Sequence, residues 1–196
     1  MITMKQSERR FQFHKFLQIL LLVVLIASDQ LTKYLAASSE LLRNSVFPLI
    51  GNAVVLHYVE NTGAAFGFFQ NRQVFFYIFT VIIVILIAGL YLTIHRKLIN
   101  YSRLDQAVYH DETVSKMLFL TYFLIVLCAG AVGNLIDRIA HGYVIDFISV
   151  QWIQFPVFNF ADIYVTVSAV ILVVFFLLFY KEDPNFRLKI GRFKGK

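Results

Sequence analysis

Four long apolar runs set the pattern of this chain, approximately Phe16 to Ala36, Val74 to Ile94, Met117 to Ile136 and Ala161 to Tyr180. Each reaches the roughly 20 residues that a helix needs to cross a bilayer. Their apolar positions are continuous and lack the alternation of outer-membrane barrel strands. The pattern predicts a polytopic α-helical membrane protein: four transmembrane helices in one membrane domain over residues 1–196.

Between the first two runs, Ala37 to Gln73 is no simple hairpin. Val46 to Tyr58 is rich in Val, Leu, Phe and Tyr around Pro48 and Gly51-Asn52, the signature of one or two strands joined by a turn. A small β-rich element over about residues 44–70 is expected here. The Glu60 to Gly67 stretch that follows contains Gly63 and Gly67, whose lack of a side chain permits close approach of backbone or ligand. The Ala140 to Phe160 connection reads as a loop against the membrane, because Trp152 and its aromatic neighbours suit the headgroup level. The mixed-charge segment from His95 to Lys116 and the tail after Glu182 each read as a solvated linker or a short surface helix without chemistry.

Composition sharpens this picture. With 59% hydrophobic and 15% charged residues and a mean hydropathy of +0.69, the chain falls in the membrane class. The net charge of +6 takes its meaning from position. Lys5, Arg9, Arg10 and Lys15, then Arg96, Lys97, Arg103 and Lys116, then six basic residues from Lys181 onward place fourteen of the 18 on one side. Both termini are therefore expected in the cytoplasm, with the other two connections outside. The charge reflects topology and contact with membrane lipids, and no nucleic-acid partner is expected. The basic start and first apolar run could pass for a cleaved leader, but Asp29, Gln30 and Lys33 interrupt the run, so a retained helix is expected. One cysteine, Cys128, excludes a disulfide framework.

Polar residues near span ends are the candidates for chemistry, since ionisable groups in a membrane are costly. Asp29 and Lys33 are four apart on one helical face and suit an ion pair. Asn134, Asp137 and Arg138 form a polar face beside Gly130 and Gly133, with Asp137 as the expected partner of Arg138. Asp146 and Asp162 have no adjacent basic residue. Two carboxylates sharing a site hold one proton between them, and such a pair can activate water and protonate a leaving amine. Spacing alone leaves other readings open: Asp162 as a helix cap with Asp146 in a loop, a proton or cation pathway in a small ion-coupled transporter, or a non-catalytic assembly factor. The five histidines form no HExxH pair, and no GxSxG elbow is present, so neither metal nor another cofactor is expected.

Taken together, Asp29-Gln30-x-Thr32-Lys33, Asn61-x-Gly63-Ala64-Ala65-Phe66, Gly133-Asn134-Leu135-Ile136-Asp137-Arg138, Gly142-x-Val144-x-Asp146-Phe147 and Phe158-Asn159-x-Ala161-Asp162 closely resemble the motifs of the lipoprotein signal peptidase (type II signal peptidase) family of bacteria. The resemblance covers about residues 16–180. It implies an aspartic endopeptidase of the inner membrane that cuts diacylglyceryl-modified prolipoproteins on the amino side of the lipidated cysteine. It also implies Asp146 and Asp162 as the catalytic pair, with Asp29, Lys33, Asn61, Gly63, Asn134, Arg138 and Asn159 binding substrate or supporting the site. The partners would be a lipid-modified prolipoprotein and membrane lipids, the chain acting as a monomer without metal. Ala129 before Gly130 and Ile163-Tyr164 after Asp162 depart from the family's usual glycine and serine.

Overall fold

A computed structural model describes residues 4–63, 73–104, 112–153 and 155–182. The candidate segment Ala64 to Gly67, the rest of the polar connection around 105–111 and the tail beyond Glu182 lie outside these residues. Helix α1 spans Met4–Ser38 and the short α2 spans Glu40–Asn44. Strands β1, Phe47–Ile50, and β2, Val54–Asn61, follow. Helices α3, Gln73–Leu104, and α4, Glu112–His141, precede strand β3, Val144–Val150, and α5, Phe160–Glu182, completes the order.

Four stretches within these helices are long and apolar enough to cross a membrane: Arg9–Ser38, Val74–Asn100, Val114–His141 and Phe160–Leu178. Most of their surface stays outside the protein core, so lipid rather than neighbouring protein covers the Leu, Ile, Val and Phe side chains. The helices outrun the apolar stretches that announce them. The first begins within the basic N-terminal segment, and in His95 to Lys116, where a linker or a short surface helix is expected, the long helices α3 and α4 themselves continue to Leu104 and from Glu112. Buried Leu98, Val114 and Met117 explain the extension, because they join Phe11, Ile87, Ile94 and Leu124 in one apolar cluster at that end of the bundle.

Helix-to-helix contact is also polar. Tyr91 Oη donates to Gln18 Oε1 at 2.7 Å and Gln18 Nε2 donates to Thr121 Oγ1 at 2.8 Å. This chain ties α1, α3 and α4 where water is absent and an unmade hydrogen bond would be costly.

The extramembrane part corrects the sequence reading. The Ala140 to Phe160 connection is not a loop, since β3 pairs antiparallel with β2 in a three-stranded sheet of order β1-β2-β3. Val59 faces Asp146 and Asn61 faces Val144 across that ladder. Thus the sheet sets two candidate residues from distant segments near one another. Gly142, at φ 82°, makes the left-handed turn from α4 into β3 that other residues resist. Trp152 follows β3 in a 3-10 turn and is 81% exposed.

Candidate active site

The site forms where the C-terminal ends of α1 and α4 and the N-terminal end of α5 meet the sheet. Its foundation is a sealed cluster of charge. Lys33 Nζ lies 2.9 Å from Asp29 Oδ2 and 2.9 Å from Asp137 Oδ2, and it donates to Asn134 Oδ1 at 2.9 Å. The ammonium thus spends its three protons on three acceptors, and Lys33 and both carboxylates are at most 1% exposed. Gln30 Nε2 adds a donor to Asp137 Oδ1 at 3.0 Å.

These carboxylates also hold backbone. Asp137 Oδ2 accepts from Ile145 N–H at 3.0 Å, securing the start of β3. Asp29 Oδ1 accepts from Ala161 N–H at 2.9 Å, satisfying one of the N–H groups that a helix leaves open in its first turn. Close approach of α1 to α4 makes this possible. A Cβ on Gly133 would lie 2.5 Å from Asp29 Oδ2, so only glycine fits there.

The sequence reading of Asp137 as the partner of Arg138 does not hold. Adjacent helical residues point in different directions: Asp137 turns to Lys33, while the Arg138 guanidinium sits 4.9 Å from the Phe76 ring centroid on α3. Tyr77 of α3 donates its hydroxyl to the Arg138 carbonyl oxygen. Among the described residues, no carboxylate lies within ion-pair distance of Arg138.

Above the sealed cluster is a cavity of about 360 Å³, into which Asn61, Gly63, Asn134, Arg138, Asp146 and Asp162 all face. Asp29, Lys33 and Asn159 do not line it. Asp29 and Lys33 are therefore placed as support, and a direct substrate contact is not what their position offers. Apolar walls come from the 155–158 segment and from Ile163, Thr166 and Val167. The sequence reading omitted these walls. With Asp162 they share one face of a helix, at i, i+1, i+4 and i+5, a signal that becomes meaningful only once Asp162 is known to face inward.

Amides hold the two cavity carboxylates. Asn61 Nδ2 donates to Asp146 Oδ2 at 2.8 Å and Asn159 Nδ2 donates to Asp146 Oδ1 at 2.7 Å. Asn134 Nδ2 donates to Asp162 Oδ1 at 2.8 Å. Asn159 N–H donates to Asp162 Oδ2 at 3.2 Å, and Asp162 N–H donates to Asn159 Oδ1 at 3.0 Å. This reciprocal pair is a capping box at the start of α5, so the capping role weighed for Asp162 and its place in the cavity coexist. Asn159 is fully buried and bonds to both aspartates, which makes it the link between them.

Burial raises the pKa of Asp146 from its ordinary 3.8 to about 7, and the nearby Asp162 pushes it in the same direction. The amides of Asn61 and Asn159 offset only part of that rise. A carboxyl group with this pKa can hold or release a proton near neutral pH. Among the described residues, no cluster of three or more His, Cys, Asp or Glu side chains is arranged as a metal site.

Comparison with known proteins gives the family. The pattern of the family described as signal peptidase (SPase) II matches residues 21–178. A lipoprotein signal peptidase of Clostridioides difficile (strain 630) is 37% identical over 167 residues, covering 85% of this chain and 99% of that protein. One from Caldanaerobacter subterraneus subsp. tengcongensis is 38% identical over 156 residues, covering 79% and 91%. One from Streptococcus pyogenes serotype M5 is 37% identical over 169 residues, covering 86% and 97%. A bacterial membrane enzyme solved by the in meso method at 2.3 Å resolution superposes with a TM-score of 0.65 at 30% identity, covering 84% of this chain and 88% of that one. The transporter alternative finds no support in these relatives. The chain belongs to the signal peptidase II family, the lipoprotein signal peptidases, and is a multi-pass membrane protease of the bacterial type.

Proposed function

We propose that Asp146 and Asp162 are the catalytic pair with which this protein removes the signal peptide from diacylglyceryl-modified prolipoproteins. The observation that carries this is their shared position: both face one cavity, held by amide donors and by no basic side chain. With Asp146 near 7, that carboxyl can hold or release a proton at neutral pH, and the working form of the pair has one proton between its two members. The ionised member takes a proton from water, which attacks the scissile carbonyl carbon. The protonated member donates its proton to the carbonyl oxygen; as the C–N bond breaks, the member that took the proton from water passes it to the leaving amine of the lipidated cysteine, and the first member recovers its proton from the collapsing diol. No metal or covalent intermediate enters this scheme.

The supporting residues have distinct tasks. Asn61 and Asn159 orient Asp146, while Asn134 orients Asp162. Arg138 presents a guanidinium to the cavity, suited to a substrate carbonyl or glyceryl ester oxygen. The bias of basic residues supports cytoplasmic termini and a site toward the outer face. The chain works as a monomer, with membrane lipids as its only other partner.

The test is incubation of the purified protein in detergent with a lipidated prolipoprotein, followed by mass analysis. A product beginning at the lipidated cysteine is expected; a cut elsewhere, or cleavage abolished by a chelator, contradicts the scheme. Cysteine labelling checks topology, and a cytoplasmic location for residues near 150 would overturn it.

A further inference from the structure

A second cavity, of about 310 Å³, lies where α1, α2, the sheet and the start of α5 meet. Among the described residues, its lining is apolar except for Thr32. That hydroxyl is already turned to its own helix, donating to the carbonyl oxygens of Ser28 at 3.0 Å and Asp29 at 2.9 Å. Among the described residues of the lining, no polar group is left to hold a water molecule. An apolar cavity of about half this volume stays dry and accepts a small hydrocarbon, so the chemistry of this space selects an apolar occupant.

Position narrows the choice. Leu35 and Leu49 border the cavity and are 57% and 55% exposed. Leu35 belongs to the membrane-crossing stretch Arg9–Ser38, so the cavity is continuous with the surface that lipid covers. On its inner side are Phe147 and Phe160, whose ring centroids are 6.1 Å apart. Phe147 follows Asp146 on β3, and Phe160 adjoins Asn159 at the start of α5. The two rings therefore line this space from the same segments that carry the aspartates, β3 and the start of α5.

We propose that this cavity binds one acyl chain of a bilayer lipid, which packs on Phe147 and Phe160 and so backs the strand and helix that carry Asp146 and Asp162. The lipid is in contact with this surface whether or not substrate is present. The lipid chain of a substrate is the competing source, and the experiment below separates the two. Binding is measured without cleavage, so it stands or falls separately from the peptidase reading.

The probe is phosphatidylcholine brominated in mid-chain, titrated into the full-length protein in detergent micelles. Trp152 is the only tryptophan, so Trp152→Phe with Leu49→Trp places a single fluorophore at the cavity edge. Saturable quenching is expected. Ala36, 2% exposed and in the cavity wall, is then replaced by Phe to fill the space. Loss of the saturable phase is expected with an unchanged melting temperature; Ala36→Met serves if the Phe variant does not fold. Quenching that never saturates, or that persists unchanged in a folded filled variant, overturns the proposal. The last arm adds Asp146→Asn to prevent cleavage and supplies a diacylglyceryl-modified peptide. Relief of quenching at stoichiometric lipidated peptide, but not with its unlipidated counterpart, assigns the cavity to the substrate and also overturns it. No relief at that ratio supports a bilayer lipid.

Discussion

The site contains two pairs of aspartates whose surroundings differ. Asp29 and Asp137 share one ammonium, Lys33, and are closed off from the cavity. Asp146 and Asp162 are held by asparagine amides and backbone N–H groups and face the cavity. The oxygens of the first pair are taken up by a buried cation. The second pair meets neutral donors beside a cavity, and there burial raises the pKa of Asp146 to about 7. The same side chain thus serves as structure on one side of Asn134 and as proposed chemistry on the other. Asn134 joins the two regions, accepting from Lys33 and donating to Asp162.

Removing the cation should damage the sealed pair most. Lys33→Met leaves two buried carboxylates uncompensated, a change expected to cost about 3–5 kcal/mol. Much of the protein should then fail to fold, as read by melting temperature and yield in detergent. A variant that melts normally would mean that Lys33 is not the centre of the cluster.

Gly133→Ala tests the same region through space. The added Cβ must displace Asp29, and overpacking of this kind costs about 1–3 kcal/mol. Cleavage should fall alongside stability, because Asp29 holds the first turn of α5, which bears Asp162.

Acidity distinguishes the open pair next. With Asp146 raised to about 7, the folded protein binds more protons than the unfolded chain between about pH 4 and 7. Its stability therefore falls as pH rises through that window and levels off above it. Cleavage needs the shared proton, so kcat/KM should decline above about pH 7, approaching tenfold per unit. A rate flat to pH 9 would show that the pair does not work in the singly protonated form.

The smallest effect is expected far from both pairs. Gln18→Leu removes the bond to Thr121 and the acceptor of Tyr91. Interhelical hydrogen bonds in membranes average about 0.6 kcal/mol, so a small drop in melting temperature with unaltered kcat is expected. A large loss of cleavage would tie this network to the site.

How much of this was legible beforehand depended on the length scale of each signal. The spans were readable because their hydropathy accumulates over about 20 residues. Their ends were not, because packing of Leu98, Val114 and Met117 extends α3 and α4 past the apolar runs. Strand β3 was missed for a related reason: Val144 to Phe147 are all buried, so the alternation that marks a half-exposed strand is absent. The motifs carried Asp146 and Asp162, and nearness between the Asn61 and Asp146 segments came only with strand pairing. Asp137 was assigned to its neighbour in sequence, whereas its partner stands on another helix.

The contrast between the two pairs is tested most directly by cleavage of a lipidated prolipoprotein by Asp146→Asn and Asp162→Asn, each with a thermal melt in the same detergent. Each substitution should keep a folded protein and lower kcat by about 10²–10⁴-fold, the range for lost general acid–base catalysis. Cleavage near the unsubstituted rate by either folded variant would contradict the assignment of the open pair as the catalytic one.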